Sequence, residues 1–169
     1  MILNGTIFVT FGIYLVPFNK SEISIMQLTM TGEYALRAML YICSKSKGTI
    51  FQISDISSTN DIPENFLRKI IPQLNKSGIL QSQRGVGGGI SLMKSAEIIT
   101  PLDIIESVEG EIGLNKCLIS PDFCSNKKCC PVHVLWADAQ QKLKEMLAAK
   151  TLAQLADENK IKYRSINSH

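Results

Sequence analysis

Pro63-Glu-Asn-Phe-Leu-Arg-Lys-Ile-Ile-Pro-Gln-Leu-Asn-Lys-Ser-Gly-Ile-Leu-Gln-Ser-Gln-Arg-Gly-Val-Gly-Gly-Gly-Ile-Ser-Leu92 sets the architecture of this chain. Phe66, Leu67, Ile70, Ile71 and Leu74 recur at helical spacing and form one apolar face. Asn65, Arg68, Lys69 and Lys76 lie largely on the other face. Pro63 suits a first helical turn, where its missing N–H has no partner to lose. Gly78, just past Lys76, is a stop signal. Pro72 stands inside the pattern, where a proline costs about 3 kcal/mol and kinks a helix, so a bend or an early end is predicted there. Ile79 to Arg84 then reads as a strand, Gly85-Val-Gly87-Gly88-Gly89 as a turn and Ile90-Ser-Leu92 as the return strand.

Two helices precede this unit. Thr31 to Ser44 is amphipathic, with Ala35, Ala38, Met39 and Ile42 on one side and Glu33 in the first turn, where the helix dipole favours an anion. Cys43 on this helix reads as a small core residue. A shorter helix covers about Ile53 to Ser58, and Asn60-Asp-Ile62 is the turn into the third. Three helices and then a basic hairpin make the order of a winged helix-turn-helix. The expected fold is therefore mainly α with a small β-hairpin wing, followed by a long C-terminal helix.

Downstream, Thr100-Pro-Leu-Asp103 opens a further helix: Thr100 caps it, Pro101 suits the first position and Asp103 answers back to the cap. The long helix starts near Pro131 and runs to about Lys150. Along it Val132, Trp136, Ala139, Leu143 and Met146 step by four and three, a seam suited to packing on a second helix. That seam can also cover the chain's own domain, but so small a chain offers few other faces, and a homodimer is the favoured reading. Thr151 to Gln154 reads as one more capped turn, and the chain from Tyr163 as a frayed tail.

The chain has 169 residues, 45% of them apolar, and a net charge of 18 − 15 = +3. That length suits one domain with an added helix. The slight excess of positive charge permits a nucleic-acid partner without demanding one. Ile7 to Phe18 is mostly apolar but well short of the ~20 residues that span a bilayer, so no membrane role is expected. It has no basic residue before it and no small-residue cleavage site after it, which makes a poor secretion signal. A stray strand or a loose tail is an option there. Organised helical pattern begins only after Met26, which is the expected true start, with residues 1–25 an extension outside the native protein. The expected organisation is 26–98 winged domain, 99–112 connecting helix, 113–131 cysteine loop, 132–157 dimerisation helix and cap, and 158–169 tail.

The polar face of the third helix carries groups that read DNA. In a major groove, Arg68 can fork onto the O6 and N7 of a guanine, worth about 1–3 kcal/mol of discrimination. Asn65 can read an adenine or bind phosphate, and Lys69 and Lys76 suit phosphates, which set salt dependence rather than sequence choice. The glycine run is no dinucleotide cradle, because a strand and not a helix follows it. A wing tip accounts for it better: Gly85, Gly87, Gly88 and Gly89 allow a tight turn close to a phosphate backbone, with Arg84 reaching the minor groove or a phosphate.

Four of the five cysteines fall between Cys117 and Cys130, with His133 just beyond. Gaps of six residues separate Cys117 from Cys124, five separate Cys124 from Cys130, and two separate Cys130 from His133. Without a secretion signal the expected compartment is the cytoplasm, where such a cluster is more often metal-binding or redox-active than disulfide-bonded. Zinc takes four N or S ligands, and an iron–sulfur cluster is also held by thiolates. Pairs spaced Cys-x2-Cys, usual in zinc knuckles, are missing, and the spacing favours iron–sulfur slightly over zinc. Adjacent Cys129 and Cys130 lack the Cys-x-x-Cys arrangement that lowers a thiol pKa, and no paired acid and base flank them, so an enzyme is not expected.

The chain from Met26 to about Asp157 resembles the IscR/NsrR/CymR (Rrf-two) family of bacterial winged-helix transcription regulators. The matching stretches are Met26-Gln-Leu-Thr-Met-Thr-Gly-Glu-Tyr-Ala-Leu-Arg-Ala-Met39, Ile62-Pro-Glu-Asn-Phe-Leu67, the wing Arg84-Gly-Val-Gly-Gly-Gly89 and the cysteine loop ending in His133-Val-Leu-Trp136. The resemblance implies a regulator that binds double-stranded DNA as a homodimer, with a [2Fe–2S] or [4Fe–4S] cluster on Cys117, Cys124 and Cys130. It offers two fourth ligands, His133 and, from the first helix of the partner subunit, Glu33. The first gap is one residue longer than in the IscR type, and Cys129 is an extra thiol that can replace Cys130, act as a redox partner or have no role. The implied role is promoter binding controlled by the cluster in response to iron–sulfur status, redox or nitric oxide, with repression of transcription. The alternative is a cluster-free or zinc-binding regulator of the same fold, answering to a protein partner or to thiol oxidation.

Overall fold

The computed structural model describes residues 29–46, 48–119 and 130–158 with their side chains, and the backbone of 2–3, 6–11 and 14–18. Those N-terminal stretches form strands β1 (Ile2–Leu3), β2 (Thr6–Phe11) and β3 (Tyr14–Phe18) in an antiparallel sheet of order β1-β2-β3. Ile7 pairs with Phe18 and Phe11 with Tyr14. β-branched and aromatic residues dominate the run, which suits a strand.

Helix α1 spans Met30–Cys43. Thr29 caps it, its hydroxyl accepting from the amides of Thr31 and Gly32. The same hydroxyl donates to Glu109 Oε1 at 2.7 Å, which ties this helix start to a helix 80 residues away. Ala35, Ala38, Met39 and Ile42 are buried, the face expected from their spacing. Helix α2 runs from Ile53 to Asn60 and closes on Asp61, which takes a left-handed conformation at φ 50°.

Helix α3 covers Glu64–Lys76 with Leu67, Ile70, Ile71 and Leu74 buried. Of the bend or early end expected at Pro72, the early end is absent: the helix runs on to Lys76. Pro72 is exposed, and the carbonyl it leaves without a helical donor belongs to exposed Arg68, where water can reach it. The four buried residues flank the proline on the opposite face and hold both halves of the helix to one core.

Strands β4 (Leu80–Gln83) and β5 (Gly89–Leu92) form the antiparallel hairpin, with Leu80 opposite Leu92 and Gln83 opposite Gly89. Phe51 adds a short third edge: its amide and carbonyl both bond to Ile90 at 2.8 Å. Helix α4 (Pro101–Glu109) shows the expected reciprocal cap between Thr100 and Asp103. Helix α5 is a short turn at Lys116–Ile119, inside a stretch expected to be loop. Nothing in Lys116-Cys-Leu-Ile marks a helix on its own, and the Asn115 carbonyl accepting from the Leu118 amide helps to define the turn. Helix α6 spans Pro131–Ala148, and a last helical segment covers 152–158.

One hydrophobic core joins α1, α2, α3, α4 and the hairpin. Leu152 is fully buried in it, and its amide donates to the Ile99 carbonyl at 2.8 Å. The chain thus leaves the domain along α6 and returns to its core, where a capped turn alone was expected. Among the described residues no polar or charged side chain is buried.

Helix α6, like the short α5, has no buried residue. Trp136, Ala139 and Leu143 of its seam are half-covered, whereas Val132, Val134, Leu135 and Met146 stand exposed. Polar contacts hold it to its own domain. Lys144 Nζ lies 3.2 Å from Glu106 and 2.9 Å from Glu111, and Gln140 accepts from the Leu114 amide at 3.0 Å. The hydrogen bond to Glu111, with Glu106 beside it, raises the Lys144 pKa above its ordinary value. Among the described residues no helix is long and apolar enough to cross a membrane.

Candidate nucleic-acid interface and metal centre

The core that buries one face of α3 turns the other outward. Asn65, Arg68, Lys69 and Lys76 are all exposed. Asn65 folds its Oδ1 back onto the Phe66 amide at 3.0 Å, and Arg68 Nη2 meets Glu64 Oε2 at 2.8 Å. Two contacts fix this helix against its neighbours. Phe66 meets Tyr34 of α1 edge to face, with ring centroids 5.1 Å apart, and Asn75 Nδ2 donates to Ser82 Oγ of β4 at 2.8 Å.

The wing stands beside it. The Gly88 amide donates to the Gly85 carbonyl at 2.9 Å and closes the turn, with Gly85 and Gly87 at φ 98° and 79°. Arg84 and Val86 are exposed at its tip, while Gly88 and Gly89 sit half-buried at its base. Gln52, before α2, donates to the Gly88 carbonyl at 2.6 Å. A Cβ on Gly88 would collide with the Gln83 carbonyl oxygen and lie 2.9 Å from the Arg84 carbonyl carbon, both backbone atoms of the facing strand end. Gly88→Ala is therefore expected to splay the wing and lower DNA affinity at least about tenfold, the value of one good contact, while the melting temperature moves little. Anisotropy titration beside a thermal melt checks this.

Two residues on these faces carry no signature in the sequence. Glu64 reads as an ordinary acid in a helix first turn, and Val86 as filler between glycines. Only the positions show that both face outward, one paired with Arg68 and the other the most exposed apolar residue of the domain.

Helix α5 and the start of α6 bring two candidate ligands together. Cys117 Sγ and His133 Nδ1 lie 3.4 Å apart across 16 residues of sequence. Cys130 is the residue before α6, at its N-cap, with no side-chain cap bond. Cys124 and Cys129 lie outside the described residues. Among the described residues, no three candidate ligands form one group. Ligands bonded to one tetrahedral ion at about 2.3 Å for sulfur and about 2.0 Å for nitrogen sit roughly 3.5 Å from each other. The Cys117–His133 separation matches that, so these two donors fit adjacent positions on a soft metal centre.

Glu33 is engaged elsewhere. Arg37, one turn along α1, forms an ion pair with it, donates to the Asn60 carbonyl and lies over the Tyr34 ring. Cys43 is separate from the cluster. Burial pushes its thiol up to about 12, so it stays protonated and inert at neutral pH.

A helix held outward on a three-helix core, with a glycine-turned hairpin beside it, is the winged helix-turn-helix of a DNA-binding transcription regulator. Comparison with known proteins narrows the class. The sequence pattern described as "Rrf2: Iron-dependent Transcriptional regulator" matches residues 28–158, and the chain belongs to that family. It is 34% identical over 140 residues to an HTH-type transcriptional regulator of Haemophilus influenzae, covering 83% of this chain and 93% of that one. It is 33% identical over 136 residues to the HTH-type transcriptional regulator IscR of Erwinia tasmaniensis, covering 80% and 82%. Among solved structures it resembles CymR, the global cysteine regulator of B. subtilis, at TM-score 0.64 and 27% identity over 78% of this chain and 97% of that one. IscR of T. potens shares the fold at TM-score 0.61 and 24% identity, covering 79% and 88%. These relatives are regulators and not enzymes.

Proposed function

We propose that this protein is a cytoplasmic, homodimeric regulator, a repressor by expectation, whose grip on promoter DNA is set by an iron–sulfur cluster. The single observation that carries the cluster is the meeting of Cys117 and His133 at the head of α6. Cys117, Cys124, Cys130 and His133 would hold it, with Glu33 and Cys129 as alternates. When bound, the cluster would supply a centre that gains or loses electrons and that nitric oxide can nitrosylate. The chain's own residues do the rest. Arg68 and Asn65 reach base edges; Lys69, Lys76 and Arg84 neutralise phosphates or enter the minor groove; Gly85, Gly87, Gly88 and Gly89 bring the wing close to the strand. The exposed Val132, Val134, Leu135 and Met146 of α6 support a second copy as the partner on that helix.

Coupling runs through α6. Its first turn carries His133, its third turn holds Gln140 against the Leu114 amide beyond α4, and its fourth holds Lys144 against Glu106 of α4. Glu109 at that end hydrogen-bonds Thr29, the cap of α1. A shift at the head of α6 is thereby passed to the helices that position α3.

Likeness to CymR, described as a cysteine regulator, favours a second reading in which thiol chemistry or a protein partner replaces the cluster. Protein purified without air separates the two. A brown protein absorbing in the visible range, with stoichiometric iron and acid-labile sulfide, is expected. Colourless protein free of iron and sulfide would favour the second reading.

A further inference from the structure

Glu64 stands where an acid is poorly suited to a phosphate-lined groove. It is the first residue of α3, on the face that turns outward, and its carboxylate accepts from Arg68 at 2.8 Å. Both side chains are largely solvated, 41% and 65% exposed, so the pair adds little to the stability of the helix. Its effect on what the helix can read is larger. The paired heads present, side by side, the guanidinium donors of Arg68 and the acceptor oxygens of Glu64.

That row matches one base pair in one orientation. In the major groove a G·C pair shows two guanine acceptors, N7 and O6, followed by the cytosine N4 amino donor. An A·T pair shows acceptor, donor, acceptor, and a C·G pair shows the row reversed. Donors then acceptor meet acceptors then donor only on G·C. Because the heads are hydrogen-bonded to each other, they cannot reach bases far apart without separating. Arg68 alone would recognise the guanine; Glu64 adds the cytosine across the strand, and its charge sets a penalty on any pair that places an acceptor there.

We infer that Glu64 is a specificity-determining residue, which with Arg68 reads a whole G·C pair through the cytosine N4 amino group. The inference rests on the reading of α3 as the helix that contacts bases. Its test starts from a library of randomised duplexes selected with the wild-type protein. The selected half-site is expected to hold one fixed G·C pair. That cytosine is then replaced by its analogue lacking the N4 amino group. Wild type is expected to lose about tenfold in affinity, and Glu64→Ala, already weaker on the natural site, to be indifferent to the change. A role confined to helix stability would show in the melting curve and leave the N4 sensitivity intact. Wild type indifferent to the amino group, or Glu64→Ala as sensitive as wild type, would overturn the inference and leave α3 as the reading helix. Selection that yields no sequence preference at all would overturn the reading of α3 and the inference together.

Discussion

Cys117→Ala is expected to abolish iron and sulfide binding in protein prepared without air, while the melting temperature of the cluster-free form stays near that of cluster-free wild type. The two halves of this expectation have separate causes. Removing one thiolate leaves a soft-metal site one ligand short, and the thiolate contacts His133, so the geometry on that side of the site is lost as well. Stability is spared because Cys117 lies on a short helix with no buried residue and is not part of the apolar core. Glu33→Ala, by contrast, is expected to keep its iron, because that carboxylate is held by Arg37 on its own helix. Iron retained in His133→Ala and lost in Glu33→Ala would reverse the choice of fourth ligand. Iron and sulfide assays with visible spectra read each result.

Leu152→Ala is expected to be among the most destabilising single truncations outside the winged domain. Leu152 is fully buried and belongs to the core that also holds side chains of α1, α3 and α4. Truncation removes its apolar contacts and leaves a cavity, at about 2–5 kcal/mol. For a chain of this size that corresponds to roughly 5–15 °C in Tm. The backbone bonds from Leu152 to Ile99 and from Ala153 to Ala96 fasten the segment in place, so the core cannot simply close over the gap. A circular-dichroism melt checks it. A Tm within a degree or two of wild type would mean that the returning segment does not pack in this core.

Much of the fold is legible in local pattern. The burial of Ala35, Ala38, Met39 and Ile42 in α1, and of Leu67, Ile70, Ile71 and Leu74 in α3, follows from a helical repeat written in the residues themselves. The hairpin is legible because glycines and β-branched residues leave few other conformations. The cap at Thr100 is a local motif, and it forms as expected. Features that depend on distant partners are not legible in this way. Leu152 looks like part of a terminal turn until the core that receives it is known. Pro72 reads as a helix breaker because its exposure, which makes it tolerable, is a tertiary fact. The short α5 helix has too few residues to show a period. For the metal centre, the cysteine count and spacing name the chemistry, but only the turn of α5 against α6 brings Cys117 to His133. For the DNA face, basic residues are conspicuous in the sequence, whereas Glu64 is masked by the favourable place that any acid has in a helix first turn.

If the state of the cysteine-bound centre sets DNA affinity, loaded and cluster-free protein must bind one duplex differently. The most direct measurement titrates one fixed duplex, chosen by selection with the cluster-loaded protein, against loaded and cluster-free protein at the same salt concentration and without air. Affinities differing by about 5–150-fold are expected, the range of a coupling of about 1–3 kcal/mol between two sites. Equal affinity and equal sequence preference in the two forms would contradict it.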